Sequence, residues 1–122
     1  MSRYVDGYVI PVPTAKLADY RRIASRMAKL FLEYGALEVR ECAIDDPSPP
    51  FGTPFSKTLK SRDDETAVFS WIIFKSRKDR DRINADVMAD PRVGKLCDPS
   101  DPLFNCQRMV YGGFKTLVDV VA

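Results

Sequence analysis

Two carboxylates in this sequence lie where a charged side chain is unusual. Asp6 and Glu41 each interrupt a run of β-branched and aromatic residues, YVDGYVIPV and LEVRECAI. A carboxylate buried there without a partner costs the fold several kcal/mol, or its pKa rises until it is neutral. A carboxyl group with a raised pKa can serve as a general acid or base. Asp6 and Glu41 are therefore the candidate catalytic residues.

Four further side chains are candidates for holding a small molecule beside these carboxylates. Aromatic rings supply apolar contact area, and an arginine supplies a fixed positive charge. These candidates are Tyr8, Trp71, Arg108 and Tyr111. A competing interpretation is structural: Arg108, Arg40 or tyrosine hydroxyls would hold the carboxylates in static pairs, and the aromatic rings would pack a dimer core.

The inventory of reactive side chains narrows the chemistry. The chain has no histidine, which removes the commonest general base and the commonest metal ligand. Cys42, Cys97 and Cys106 show no CxxC spacing, so neither a disulfide framework nor a zinc site is indicated. We expect no metal and no cofactor.

Composition indicates one soluble domain spanning residues 1–122. The chain is 45% hydrophobic and 30% charged, with a net charge of +2. Basic and acidic residues are interspersed, so nothing indicates a nucleic-acid or membrane surface. No apolar run approaches the roughly 20 residues that span a bilayer, and a signal-peptide pattern is absent. The expected location is the cytoplasm.

Periodicity and turn residues predict six main elements. Alternating apolar residues predict strands, and an apolar stripe at helical spacing predicts the first helix. Thr14 and Ser76 are the predicted N-caps of the two helices, and a long irregular connection separates the second strand from the third. The predicted elements are a strand over Tyr4–Val12, a helix from Thr14 to Gly35, a strand over Leu37–Ile44, the connection Asp45–Glu65, a strand over Thr66–Phe74, a helix from Ser76 to Ala89, and a strand over Arg108–Leu117.

The order β-α-β-β-α-β predicts the ferredoxin-like fold of the α+β class. Right-handed crossovers place both helices on one face of a four-stranded antiparallel sheet. The first and third strands lie in its middle, the fourth beside the first and the second beside the third.

The third predicted strand, TAVFSWIIF, is apolar on both faces. A strand covered on one face alternates between apolar and polar residues, whereas this run is almost continuous. Phe69, Trp71 and Ile73 would project away from the helices. The simplest cover for that surface is the same face of a second copy, so we expect a homodimer.

Side-chain parity predicts where the candidate residues lie. Residues two apart in a strand share a face. If Val5 and Val9 pack on the helices, the alternate set containing Asp6 points into the space between the two sheets of the dimer. The residues predicted to line this interior are Asp6, Tyr8, Val39, Glu41, Phe69, Trp71, Met109 and Tyr111. The strand spacing then puts Asp6 and Glu41 roughly 10 Å apart.

Several motifs together resemble a known family. They are YVDGYV, YGALEVRECAIDD, DDETAVFSWI, MADPR and RMVYGGF, and they resemble the YbaA-like family of uncharacterised, mostly bacterial proteins, domain of unknown function 1428. The resemblance implies a dimeric α/β barrel and no established activity, so it transfers no catalytic residue. The chain departs from the family pattern at Ala43, Asn105 and Cys106.

The sequence leaves three functions open. The leading one is a homodimer that binds a small molecule in the barrel interior, with or without cofactor-free acid–base or oxidative chemistry. The alternative is a non-catalytic dimeric module whose interior is filled. The least favoured is nucleic-acid binding through aromatic residues of the sheet. Gly112 and Gly113 within RMVYGGF indicate a β-bulge, a close approach of another group to the backbone, or a bend that lets the strand cross to a partner subunit.

Overall fold

The computed structural model describes residues 2–96 and 100–122 of the chain. Cys97 lies outside the described residues. The elements are β1 (Tyr4–Pro13), α1 (Leu17–Glu33), β2 (Glu38–Ala43), α2 (Phe55–Leu59), β3 (Glu65–Phe74), α3 (Arg77–Ala89), α4 (Pro91–Leu96) and β4 (Val110–Lys115), with 3-10 turns over Thr14–Lys16 and Cys106–Arg108. Within the described residues, no helix has both the length and the apolar content that crossing a bilayer requires.

The four strands form one antiparallel sheet in the order β2-β3-β1-β4. Helices α1 and α3 both pack on one face of it, where Leu30 and Phe31 of α1 meet Ile83 and Val87 of α3 over the side chain of Phe74. The predicted ferredoxin-like fold and strand order are confirmed.

Strand β1 runs to Pro13, one residue beyond its predicted end at Val12, and it contains two prolines. Thr14 donates its backbone N–H to Asp64 on the β3 side, at 2.8 Å. Successive N–H groups along a strand point to alternate sides, so the nitrogens of Pro11 and Pro13 face away from β3. The ladder between β1 and β4 ends at Val9, which leaves that side without a neighbouring strand. The missing N–H groups therefore cost no ladder hydrogen bond.

One of the two predicted helix caps is confirmed and the other is wrong. Ser76 caps α3 as predicted, since its hydroxyl accepts the N–H of Asp79 at 3.1 Å. Thr14 does not cap α1, which begins at Leu17 after a 3-10 turn. The Thr14 hydroxyl is instead 2.8 Å from the hydroxyl of Thr66 and joins the start of that turn to β3.

A second short helix, α4, follows the predicted end of α3 at Asp90. Asp90 accepts hydrogen bonds from the Tyr34 hydroxyl at 2.7 Å and from the side chain of Arg92 at 2.8 Å. These bonds hold the pKa of Asp90 well below its usual range. The bonds to Tyr34 and Arg92 tie the corner between α3 and α4 to the end of α1.

The long connection between β2 and β3 is not wholly irregular, because it contains α2. This helix contacts β1 and β3, and its Leu59 is buried. The ring of Phe55 meets Phe69 edge to face, with 6.1 Å between centroids. Since Phe69 projects away from α1 and α3, α2 covers one end of the sheet face that those helices leave open.

The core between the sheet and the helices consists of two apolar clusters. One is built on Ile72 and Phe74 of β3 and the other on Val68, two residues before Ser70. Ser70 is therefore a buried polar residue between the two clusters, and it is 2% exposed. The polar side chains that accompany it define the site described next.

Candidate functional site

A row of four polar and aromatic side chains crosses the helix-covered face of the sheet, one from each strand. Glu41 of β2 lies opposite Ser70 of β3, Ser70 opposite Tyr8 of β1, and Tyr8 opposite Tyr111 of β4. Directly opposite residues of antiparallel strands project from the same face. The row therefore runs under the helices, between the two apolar clusters.

The predicted facing of Asp6, Tyr8, Glu41 and Tyr111 is corrected by this register. Asp6 lies opposite the buried Ile72, so all four point toward the helices rather than into a space between two sheets. Both alternate sets of β1 side chains contain apolar or aromatic residues. Hydrophobicity therefore gave no basis for choosing the set that is buried.

Asp6, which is next to Tyr8 along the same face of β1, is a fully buried charged side chain with 0% exposure. Its Oδ1 lies 2.9 Å from Nη1 of Arg80, and its Oδ2 accepts the side-chain amide of Asn84 at 3.3 Å. Burial raises the pKa of Asp6, while the bonds from Asn84 and Arg80 act to lower it. Asp6 thus has a fixed partner, as the structural interpretation required, but that partner is neither Arg108 nor Arg40.

Arg80 connects Asp6 to two tyrosines. Its Nη1 also donates to the hydroxyl of Tyr111 at 3.1 Å, and its guanidinium carbon lies 4.8 Å from the ring centroid of Tyr4. Its Nε donates to the exposed Asp81 at 2.8 Å. Planar guanidinium groups suit such combined ion-pair and stacking contacts.

Sequence reasoning missed Arg80 and Asn84 because the first turns of the second predicted helix are rich in charged residues, and such a segment predicts a helix surface in contact with water. Both residues are on α3 at i and i+4, together with the buried Ile83 and Val87. Positions i, i+3, i+4 and i+7 form one helical stripe. Because Arg80 and Asn84 share this stripe with two buried residues, their side chains must also face the sheet. That position predicts a buried polar partner on a strand, which is Asp6.

Glu41 lines a cleft between α1 and β2, where its side chain is exposed. Its two oxygens accept the hydroxyls of Tyr20 at 2.5 Å and Ser70 at 2.7 Å. Burial, with the charge of Glu41, raises the pKa of Tyr20, which stays a neutral donor. No lysine or arginine among the described residues forms an ion pair with Glu41. Its carboxylate is therefore oriented but not neutralised.

The cleft above Glu41 has a volume of about 680 Å³. Its walls are mostly apolar and small, which is why α1 and β2 leave space between them. The apolar lining residues are Leu17, Ala18, Ala24, Ala28, Val39 and Val68, with Ala43 at the β2 end. Small-molecule sites are typically apolar clefts of this size with a few fixed polar groups.

Tyr8 occupies the middle of the row. Its ring stacks on Tyr111, with 4.8 Å between centroids. Burial and then the charge of Asp6 raise the pKa of Tyr8, so its hydroxyl is protonated at neutral pH. Within the described part of the chain, that hydroxyl forms no hydrogen bond. The hydroxyl is a neutral hydrogen-bond donor, and the charge of Glu41 contributes in a minor way to the raised pKa of Tyr8.

Trp71 and Arg108 lie outside this arrangement. Trp71 projects from the opposite, open face, where its indole N–H donates to Glu38 at 2.9 Å. Arg108 binds Glu65 through two hydrogen bonds, of 2.5 and 2.9 Å, and lowers its pKa. It also donates to the carbonyl of Lys60 and so anchors the segment before β4 to the start of β3. The other four predicted site residues share the helix-covered face, where Asp6, Tyr8 and Tyr111 are neighbours and Glu41 lies two strands from Tyr8.

The open face carries an apolar hollow of about 410 Å³. The ring of Phe114 lies over Gly7 and Gly112, 3.3 Å from where a Cβ on either glycine would be. Trp71 lies opposite Gly7 on the neighbouring strand. This surface is aromatic and almost without polar groups, in contrast to the helix-covered face.

The two glycines of RMVYGGF serve opposite faces of the sheet. The pairing of β4 with β1 runs without interruption from Val110 to Lys115, so the predicted bulge is absent and close approach is confirmed. Gly112 accommodates Phe114 on the open face. Gly113 lies opposite Asp6, and a Cβ there would be 2.5 Å from Tyr4 Oη and 3.0 Å from Arg80 Nη1.

We expect Gly113→Ala to lower the free energy of unfolding by about 1–3 kcal/mol, the usual cost of overpacking. The added methyl group displaces Tyr4 and Arg80, which hold the buried Asp6. Gly112→Ala is the matched control, because its methyl group meets only the exposed ring of Phe114, and we expect a change within about 1 kcal/mol. Urea unfolding of both variants measures the difference. Equal losses would show that Gly113 is not needed for the placement of Arg80.

The strand order and the two helices on one face of the sheet define the class of protein. The chain has the subunit fold of the ferredoxin-like, dimeric α/β-barrel type, with polar groups between sheet and helices. It is similar in structure to a variant of SnoaB, a cofactor-independent oxygenase from Streptomyces nogalater, with a TM-score of 0.64 and 13% identity over 98% of each chain. It is also similar to a nipsnap family protein of unknown function from Agrobacterium tumefaciens, with a TM-score of 0.56 and 14% identity over 94% of this chain and 88% of the other. At these identities the likeness shows the fold alone.

Sequence comparison places the chain more narrowly. Residues 3–105 match the family described as Protein of unknown function (DUF1428), and the chain belongs to this family. It is 41% identical over 117 residues to the uncharacterized protein YbaA of Escherichia coli K12, covering 96% of this chain and 98% of the relative. YbaA of Shigella flexneri gives the same figures. The resemblance read from the sequence motifs is confirmed.

Proposed function

We propose that this protein binds a small, largely apolar molecule in the cleft between α1 and β2, where Glu41 accepts a hydrogen bond or a proton from it. The observation that carries the proposal is the carboxylate of Glu41, which two neutral hydroxyls orient and no described cation neutralises. This carboxylate is exposed to the cleft, so a ligand that brings a hydrogen-bond donor can use the acceptor positions that Tyr20 and Ser70 leave open.

The chemistry that fits these groups is proton transfer without a cofactor. Glu41 would take a proton from an O–H or an acidic C–H of the ligand. The structural neighbour SnoaB is named as a cofactor-independent oxygenase. The same geometry also supports binding without turnover.

Dimerisation through the open face is part of the proposal. Val5, Val9, Trp71 and Phe114 form an apolar surface there that a single chain would leave in contact with water. A second copy would cover it, with α2 bordering the contact at one end. The ligand cleft would then lie outside the sheet-to-sheet interface, on the helix side of each subunit. A cytoplasmic location stays a prediction from the sequence.

Filling the cleft is the direct test. We expect Ala24→Phe to weaken the binding of fragments at least tenfold, because the ring occupies the space beside Glu41. Ligand-observed NMR with a library of small aromatic and alicyclic molecules identifies binders of the wild type and compares the variant. Ala85→Phe is the matched control, since Ala85 is exposed on α3 and away from the cleft.

Two results would contradict the proposal. One is a library in which nothing binds the wild type. The other is a set of binders that Ala24→Phe and Ala85→Phe affect equally, which would place the binding surface elsewhere.

A further inference from the structure

A second charged side chain lines the cleft of Glu41. Arg21 of α1 belongs to the lining and is exposed at the rim. Its neighbour Arg22 lies 3.9 Å from Asp19, but no carboxylate among the described residues pairs with Arg21. No ion pair joins Arg21 to Glu41, although both line one cavity. The cleft is therefore lined by an exposed cation, Arg21, and by an exposed anion, Glu41, that two hydroxyls orient.

We infer that the ligand of this cleft is a weak acid that also carries a hydroxyl group, an inference that rests on the proposed function. Its anionic end pairs with Arg21, its apolar body lies against Ala24 and Ala28, and its hydroxyl donates to Glu41. A ligand whose anionic end lay beside Glu41 would be repelled by that carboxylate, so the charges of Arg21 and Glu41 fix the orientation.

The donor at Glu41 is a hydroxyl rather than an ammonium. An ammonium group has three N–H donors, and besides Glu41 the cleft lining offers only the hydroxyl oxygens of Tyr20 and Ser25 as acceptor side chains. Ser25 is the remaining hydroxyl-bearing residue of the cleft apart from Tyr20, whose hydroxyl already donates to Glu41. A hydroxyl has a single donor, which the free acceptor positions of Glu41 satisfy.

Three probes test the contact with Arg21 and the contact with Glu41 separately. 6-Hydroxy-2-naphthoate has both the anion and the hydroxyl, 2-naphthoate lacks the hydroxyl, and 6-hydroxy-2-naphthamide lacks the anion. The fused rings suit a cleft of 680 Å³, and the naphthol fluorescence reports binding. We expect the wild type to bind the hydroxynaphthoate at least about tenfold more tightly than either analogue, because each charged hydrogen bond is worth that much.

The variants assign each preference to a residue. Arg21→Gln is expected to remove the preference for the naphthoate over the naphthamide and to leave the preference for the hydroxyl. Glu41→Gln is expected to reduce the preference for the hydroxyl and to leave the preference for the anion. Arg22→Gln is the matched control and should bind all three probes as the wild type does, since Arg22 does not line the cleft.

The outcomes that overturn this inference are distinct from those that overturn the proposed function. Equal binding of the three probes, or an unchanged anion preference in Arg21→Gln, refutes the weak-acid ligand even if Ala24→Phe still abolishes fragment binding. So does binding of library fragments but of none of the probes. If Ala24→Phe changes the sedimentation coefficient, the cleft is a contact between copies and the inference fails.

Discussion

Asp6→Asn is expected to lower the free energy of unfolding by about 3–5 kcal/mol, the usual cost of removing one partner of a buried ion pair. Asp6 is fully buried, and Arg80, whose Nη1 lies 2.9 Å away, is only 12% exposed. The substitution keeps the shape of the side chain and removes the charge. It leaves a guanidinium group largely shielded from water without the carboxylate that it faces.

The chain contains a matched control for this prediction. Asp81 contacts the same guanidinium group at 2.8 Å, but its side chain is 61% exposed. Exposed ion pairs contribute less than about 1 kcal/mol, because water solvates both charges when the pair is broken. Asp81→Asn should therefore unfold almost as the wild type does. The two variants differ in the burial of the carboxylate and share the partner, Arg80.

Urea unfolding at pH 7, followed by circular dichroism and by the fluorescence of Trp71, gives both free energies. An Asp6→Asn protein that is as stable as the wild type, or more stable, would mean that Asp6 is not a structural ion. Asp6 would then return as a candidate acid or base, because functional groups are often replaced with a gain in stability.

Trp71→Glu is expected to convert a dimer into a monomer or an unfolded chain. The wild type should sediment as a dimer at micromolar concentration if the apolar open face pairs with a second copy. A carboxylate at position 71 would be buried in that contact beside Glu38, which now accepts the indole N–H, and a pair with Arg40 on the neighbouring strand would not repay its desolvation. Sedimentation equilibrium measures the association directly.

Two further variants keep this prediction decisive if Trp71→Glu does not fold. Phe114→Glu alters the same face at a side chain that is 59% exposed in the single chain, so the subunit should fold and remain monomeric. Leu32→Glu alters a comparably exposed side chain of α1, 47% exposed, and should leave the dimer intact. A wild-type monomer with an intact fold would refute dimerisation through this face.

The architecture was accessible from the sequence because it depends on patterns that are local. The continuous apolar run of β3, the apolar stripe of α1 and the cap at Ser76 each predict an element without knowledge of the rest. The order of elements and the handedness of crossovers then leave few sheet orders. Helices α2 and α4 were not predicted, since each is only one or two turns long and is held by contacts distant in sequence, such as Phe55 with Phe69.

The facing of the candidate residues could not be predicted in the same way. Parity correctly grouped Asp6 with Tyr8, and Glu41 with Val39, but it did not say which group lies under the helices. That choice depends on partners from other elements, namely Arg80 for Asp6 and Tyr20 for Glu41. Both partners lie at least 21 residues away along the chain.

What the sequence determined by itself was the fold, the family and the identity of two unusual carboxylates. The tertiary structure decided what those carboxylates do, because burial and hydrogen bonding are properties of the neighbours that folding brings. Asp6 is paired with the guanidinium group of Arg80 and the side-chain amide of Asn84, both on α3, and is a buried part of the core. Glu41 accepts hydrogen bonds from the hydroxyl groups of Tyr20 and Ser70 and has no cationic partner among the described residues.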